Sequence, residues 1–142
     1  MKNIAIILFI VLSIKLSAQQ SADTIISNNI KNLKLKVLYF HLTNRCNTCF
    51  SIEANVRKTI SDNFSKELDA GLIDLYILNC ELPENKELVK KYDAYGATLA
   101  FSAYINGVEQ QPEDITGWAF QKAYNPDVFI SELKLKIENH LK

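Results

Sequence analysis

The spacing of apolar and polar residues changes several times along this chain, and each change marks an element. Leu33, Leu35, Val37 and Tyr39 alternate with Lys34 and Lys36, after which Leu38, Phe40 and Leu42 make the segment apolar on both faces. A period of two predicts a strand, and a strand that starts solvated and ends wrapped in apolar residues is entering the middle of a sheet. Lys34 and Lys36 read as its solvated end. Beyond the polar break Thr43-Asn44-Arg45 the period lengthens. Ile52, Val56, Ile60 and Phe64 recur every four residues, with Glu53, Arg57, Lys58 and Asp62 on the other face. This predicts one long amphipathic helix from near Cys49 to near Ala70-Gly71.

The second half continues the alternation of elements. Leu72 to Leu78 is a short apolar run between Gly71 and Asn79-Cys80, which predicts a second buried strand. Pro83-Glu84-Asn85 opens a helix carrying Leu88, Val89 and Tyr92, so strand, helix, strand and helix form a parallel βαβ unit. Leu99 to Ile105 is extended and runs directly into Asn106-Gly107, the dipeptide best suited to a two-residue hairpin, and then Val108-Glu109-Gln110. Residues from Pro112 to Gly117 read as loop, with Trp118 opening a segment of no clear period. Asn125-Pro126-Asp127 caps a last helix striped by Phe129, Leu133 and Ile137.

The N-terminus has a different character. Met1 and Lys2 precede an apolar run from Ile4 to Ile14, and Leu16-Ser17-Ala18 follows before Gln19. That is the pattern of a secretory signal peptide, residues 1–18, cleaved after Ala18. The run is short for a bilayer span, no stop-transfer segment follows it, and no cysteine near the cut offers a lipid attachment point. Export, to a periplasm or outside the cell, is the expectation, with no membrane attachment after cleavage. Cleavage leaves 124 of the 142 residues, 19–142, enough for a single domain. In that domain, residues 22 to 32 place Ile25, Ile26 and Ile30 at helical spacing behind Ser21 or Asp23 as cap. Losing Lys2 and Lys15 turns 16 basic against 16 acidic residues into a net charge of −2, which argues against nucleic acid or an anionic membrane as partner.

The candidate chemistry is Cys46-Asn47-Thr48-Cys49, at the junction of the first strand and the long helix. A two-residue spacer lets both sulfurs meet in one helical turn, and free amides at a helix start favour a thiolate. With Cys80 the domain holds three cysteines, an odd count that permits one disulfide and one free thiol and excludes a bridge framework. In an exported domain a close dithiol is a redox catalyst, a metal or ligand site, or a disulfide stapling the helix start.

This order of elements around a Cys-x-x-Cys motif resembles the thioredoxin-like superfamily over almost the whole mature chain. Val37-Leu38-Tyr39-Phe40 before the motif, Asn79-Cys80-Glu81 and Glu87 to Tyr92 in the middle, and Tyr104-Ile105-Asn106-Gly107 near the end carry the likeness. The resemblance implies an α/β fold, a three-layer sandwich with a central mixed sheet of about four strands flanked by helices. It further implies a thiol-disulfide oxidoreductase without a bound cofactor. Cys46 would be the nucleophile and Cys49 the resolving thiol, exchanging with client protein thiols or disulfides or with a redox partner protein. The chain also departs from the family. Thr98 and Leu99 stand where a cis-proline is usual, Arg45 replaces the tryptophan before the first cysteine, and Phe40 replaces the buried acid six residues upstream of it.

These departures suggest auxiliary roles. Arg45 beside Cys46 would favour its thiolate and a more oxidising couple. His41 is either a strand-end residue or a proton carrier for Cys49. Cys80 is either a small buried hydrophobe or a third thiol on the motif's side of the sheet. In the alternative reading Cys46, Cys49 and Cys80 hold a soft metal such as Cu(I) or Zn(II), or the domain is a catalytically silent interaction module. Glu53, four residues beyond Cys49, reads chiefly as helix surface, and Trp118 and the tyrosines as core or rim. Expressed in an exporting host, the mature protein is expected to begin at Gln19 on N-terminal sequencing; an intact N-terminus in the exported fraction would contradict signal cleavage.

Overall fold

The computed structural model describes residues 32–142. The expected signal peptide and the helix over residues 22 to 32 lie outside the described residues, save for Asn32. The domain is built around β1 (Leu35–His41), which pairs in parallel with β2 (Ile73–Asn79) and antiparallel with β3 (Thr98–Ile105). Two short strands, β4 (Val108–Glu109) and β5 (Glu113–Asp114), both pair with β3, giving a mixed five-stranded sheet. Helices α1 (Asn47–Asn63), α4 (Thr116–Lys122) and α5 (Pro126–Leu141) pack on one face, and α3 (Lys86–Tyr92) on the other. The fold is therefore the expected thioredoxin-like three-layer α/β sandwich.

The alternation in β1 explains both layers. Leu35, Val37 and Tyr39 face the main core with Ile52, Val56 and Ile60 of α1 and Phe129, Leu133 and Ile137 of α5. Leu38 and Phe40 point the other way, where Val89 and Tyr92 of α3 and Ala100 of β3 cover them. The segment turns apolar on both faces at Leu38 because α3 begins to cover the second face there. Lys34 and Lys36 are not simply solvated. Lys34 donates to the carbonyl of Leu141 at 2.8 Å, and Lys36 lies over the rings of Tyr76 and Tyr104 at 5.7 and 5.1 Å. Their methylene stems cover apolar surface while the ammonium finds a partner.

Three boundaries differ from expectation. The long helix starts earlier, at Asn47, and stops at Asn63; Phe64 leaves helical geometry before a separate α2 (Ser65–Asp69). Neither glycine nor proline marks this break. It follows from burial of the Phe64 ring, 3% exposed, in the main core. The helix after Pro83 opens with a single 3₁₀ turn, Pro83–Asn85, before α3. The expected loop from Pro112 to Gly117 holds β5 and the start of α4. β5 pairs with Ala100 and Phe101 of β3, and Leu99 anchors the start of α4: its amide donates to Thr116 Oγ1 at 2.9 Å and its carbonyl accepts from Ile115 at 2.9 Å. The hairpin matches expectation, with positive φ at Asn106 (53°) and Gly107 (77°), the turn that suits the strand twist. Asn125 caps α5 through its side chain as expected.

The hairpin is fastened to α3 by Glu109. Its carboxylate accepts hydrogen bonds from Lys91 Nζ at 2.6 Å, Ser102 Oγ at 2.6 Å and the Tyr92 hydroxyl at 3.0 Å. Burial alone would raise its pKa, but these donors and the Lys91 charge outweigh it and hold the carboxyl at about 2. A depressed pKa means stabilisation that is complete above the unfolded carboxylate value and fades as pH falls toward the folded one. Glu109→Ala is therefore expected to cost about 2 kcal/mol of unfolding free energy near neutral pH. The difference from wild type in denaturant titrations should shrink between about pH 4.5 and pH 2; a pH-independent difference would refute the assignment.

Candidate dithiol site

β1 ends at His41, and the chain crosses one polar turn before Cys46 enters α1 as its N-cap. Cys46 keeps extended backbone geometry, φ −82° and ψ 164°, and its sulfur takes the place usually filled by a serine or aspartate oxygen. The amide of Cys49 donates to Cys46 Sγ at 3.4 Å, and the amide of Phe50 to the Cys46 carbonyl at 3.2 Å. One turn on, Cys49 Sγ lies 2.8 Å from Cys46 Sγ, both thiols being free. The motif residues are thus brought together as expected.

The two thiols differ electrostatically. Cys46 is exposed, and its pKa is lowered, first by the hydrogen bond from the Cys49 thiol, then by the Cys49 amide and by the amide and hydroxyl of Thr48. Cys49 is partly covered, and its pKa is raised, first by burial and then by donating to Cys46. The outer sulfur is the readier thiolate and the inner one retains its proton. A thiolate is the nucleophile in exchange, so attack belongs to Cys46.

The other expected residues are placed differently. Arg45 does not turn its charge on Cys46. Its guanidinium forms an ion pair with Glu53, which also accepts from Arg57 Nε at 2.7 Å, and it stacks over Phe50 at 4.7 Å and Tyr39 at 5.9 Å. The lowered pKa of Cys46 therefore comes from its neighbours within the motif, and Glu53, read as surface, belongs to the site's surroundings. Burial alone would raise the pKa of Glu53, but hydrogen bonds and charge from the two arginines bring it below the usual carboxylate value.

His41 is turned aside: its Nδ1 lies 3.0 Å from the carbonyl of Leu42, next to it in the chain. Cys80 is also engaged elsewhere. Its thiol donates to the carbonyl of Ala94 at 2.9 Å and packs at the edge of the smaller core, where burial raises its pKa. Among the described residues no three His, Cys, Asp or Glu side chains gather as a metal ion requires, so Cys46, Cys49 and Cys80 do not form a common ligand set.

Tyr39 is the residue that sequence reasoning missed. Its ring is fully buried, and its hydroxyl reaches the first turn of α1 and donates to the Cys49 carbonyl at 2.9 Å. Position 40, by contrast, lies on the opposite sheet face, its ring 5.6 Å from that of Tyr92. The parity of β1 was the available signal: Tyr39 shares the α1 face with Leu35 and Val37 and is the last fully buried residue on it before the motif. Over the motif from the other side, the Tyr124 hydroxyl lies 2.7 Å from Thr48 Oγ1.

No protein-family profile matches the chain, and no curated protein is significantly similar to it. No described helix is long and apolar enough to cross a membrane. Removing the counter-charge of Arg45 tests the electrostatics of the site. Glu53→Gln is expected to lower stability by about 2 kcal/mol, because a largely covered guanidinium loses its partner. It should also speed alkylation of Cys46 near neutral pH, since the freed charge favours the adjacent thiolate; an unchanged rate would show that Arg45 has no reach to the sulfur.

Proposed function

We propose that this protein is an exported, thioredoxin-like thiol-disulfide oxidoreductase that works through Cys46 and Cys49. The observation that carries the reading is the asymmetry of the pair: an exposed helix-capping sulfur of lowered pKa beside a covered sulfur of raised pKa, 2.8 Å away. An inert staple needs no such difference. Exchange needs one thiol that attacks readily and a second that waits for the mixed disulfide.

In the reductive direction, the Cys46 thiolate attacks a client disulfide. A Cys46–client bond forms, the client disulfide breaks, and the departing client thiolate takes a proton. Cys49 then loses its proton and attacks Cys46 Sγ, closing the Cys46–Cys49 disulfide and releasing the second client thiolate. The oxidative direction runs the same steps backwards. Exposed aromatic surface beside the sulfurs, Phe50 at 54% and Tyr124 at 69%, offers contact area for a polypeptide client.

Cys49→Ser is expected to trap client proteins on Cys46 as mixed disulfides that disappear on reduction, while Cys46→Ser traps none. The reduction potential of the pair separates the roles: about −120 mV marks an oxidant, about −270 mV a reductant, and values below about −300 mV a structural bridge. A bridge-like potential together with no trapped client would end this reading.

A further inference from the structure

Resolution requires Cys49 to become a thiolate, yet burial and its bond to Cys46 both favour the thiol. Something beside Cys49 must stabilise the charge when it forms. Cys46 and Tyr39 act on Cys49 directly; the other charged and titratable groups at the start of α1 are His41 beside Tyr39, Arg45 of the turn, Glu53 and Arg57 of α1, and Tyr124 of the α4–α5 turn. Arg45 is neutralised by Glu53, which Arg57 also holds, His41 is aimed at the Leu42 carbonyl, and Tyr124 is on Thr48. Tyr39 remains.

We propose that Tyr39 is a positioning residue for the resolving thiol, its hydroxyl turning from the Cys49 carbonyl to donate its hydrogen bond to Cys49 Sγ when that sulfur ionises. The geometry supplies the means. The ring is locked in the sheet between Ile77 of β2 and Leu99 of β3 and capped by the Arg45 guanidinium, so the oxygen is fixed while its single proton still rotates. At present that proton lies on the Cys49 carbonyl at 2.9 Å. The hydroxyl is also near enough to the sulfur to pull the Cys49 pKa down against its burial. Burial keeps Tyr39 itself protonated far into the alkaline range, so it acts as a donor and never as a competing anion. The proton of Cys49 goes to solvent; the tyrosine keeps its own.

The hydrogen bond can be tested without any exchange activity, whereas its role in resolution rests on the proposed function above. In the Cys46→Ser protein a single motif thiol titrates, and iodoacetamide alkylation followed on the Cys49 peptide by mass spectrometry reads its thiolate. Adding Tyr39→Phe is expected to raise the Cys49 pKa by about one unit, slowing alkylation about tenfold near neutral pH. Placing 3-fluorotyrosine at position 39 keeps the ring and makes a better donor, so the pKa should move down. In the Cys49→Ser protein, alkylation of Cys46 should be unaffected by either change.

In the protein with both thiols, a preformed Cys46–glutathione disulfide should resolve about tenfold more slowly with Tyr39→Phe, the gap closing above the Cys49 pKa. The proposal is overturned if fluorination leaves the Cys49 pKa in place, or if Tyr39→Phe slows Cys46 and Cys49 alike, the pattern of a merely structural role. If the Cys49 pKa moves as expected but wild type does not resolve the mixed disulfide, the exchange function falls and the hydrogen bond stands.

Discussion

The double burial of β1 is the constraint from which the site follows. A strand paired on both edges and covered on both faces has no freedom to slip, because a shift of one residue would move Val37 and Tyr39 out of one core and Leu38 and Phe40 out of the other. The end of that strand is consequently a fixed point. The first turn of α1 is delivered there at the same place in every molecule, and α1 is held in turn by Ile52, Val56 and Ile60 against the sheet. Two sulfurs on such a support meet without ordering a flexible loop, which is the main entropic obstacle to pairing thiols.

On that support the local charges divide into two groups that scarcely overlap. The sulfur pair is governed by neutral donors: the Cys49 thiol, the Cys49 amide and Thr48. The formal charges of Arg45, Glu53 and Arg57 are spent largely on one another along the side of the helix. An arginine next to a cysteine in sequence thus shapes the site chiefly by stacking on Tyr39 and Phe50, holding aromatic rings in place around the dithiol.

Much of this was legible in the chain. Period-two and period-four spacing located β1, α1 and α5, the Asn-Gly pair located the hairpin, and the strand-to-helix junction located the dithiol. What escaped was decided by tertiary contact. The break at Phe64 has no local marker, since a phenylalanine in an amphipathic stripe looks the same whether the helix passes through it or stops. β5 and α4 are two and seven residues long, and the Leu99–Thr116 bond that ties α4 to β3 joins residues 17 apart. The roles given to Arg45 and His41 assumed that nearness in sequence is nearness of charge, while each side chain had a nearer partner. Tyr39 was hidden for the converse reason: a strand tyrosine reads as core until its hydroxyl is seen to reach the helix above.

The interruption at Phe64 also separates two mechanical regimes. α2 has no fully buried residue, and only Leu68 touches the main core, so this turn opens at little energetic expense while α1 stays closed. Its backbone amides are therefore expected to exchange with solvent faster than those of Ile52 to Ile60, whose helix is anchored in the core. Seventeen residues of helix put α2 about 25 Å from the sulfurs. A fluorophore or surface tether placed there would report on the dithiol from a distance while leaving its chemistry alone.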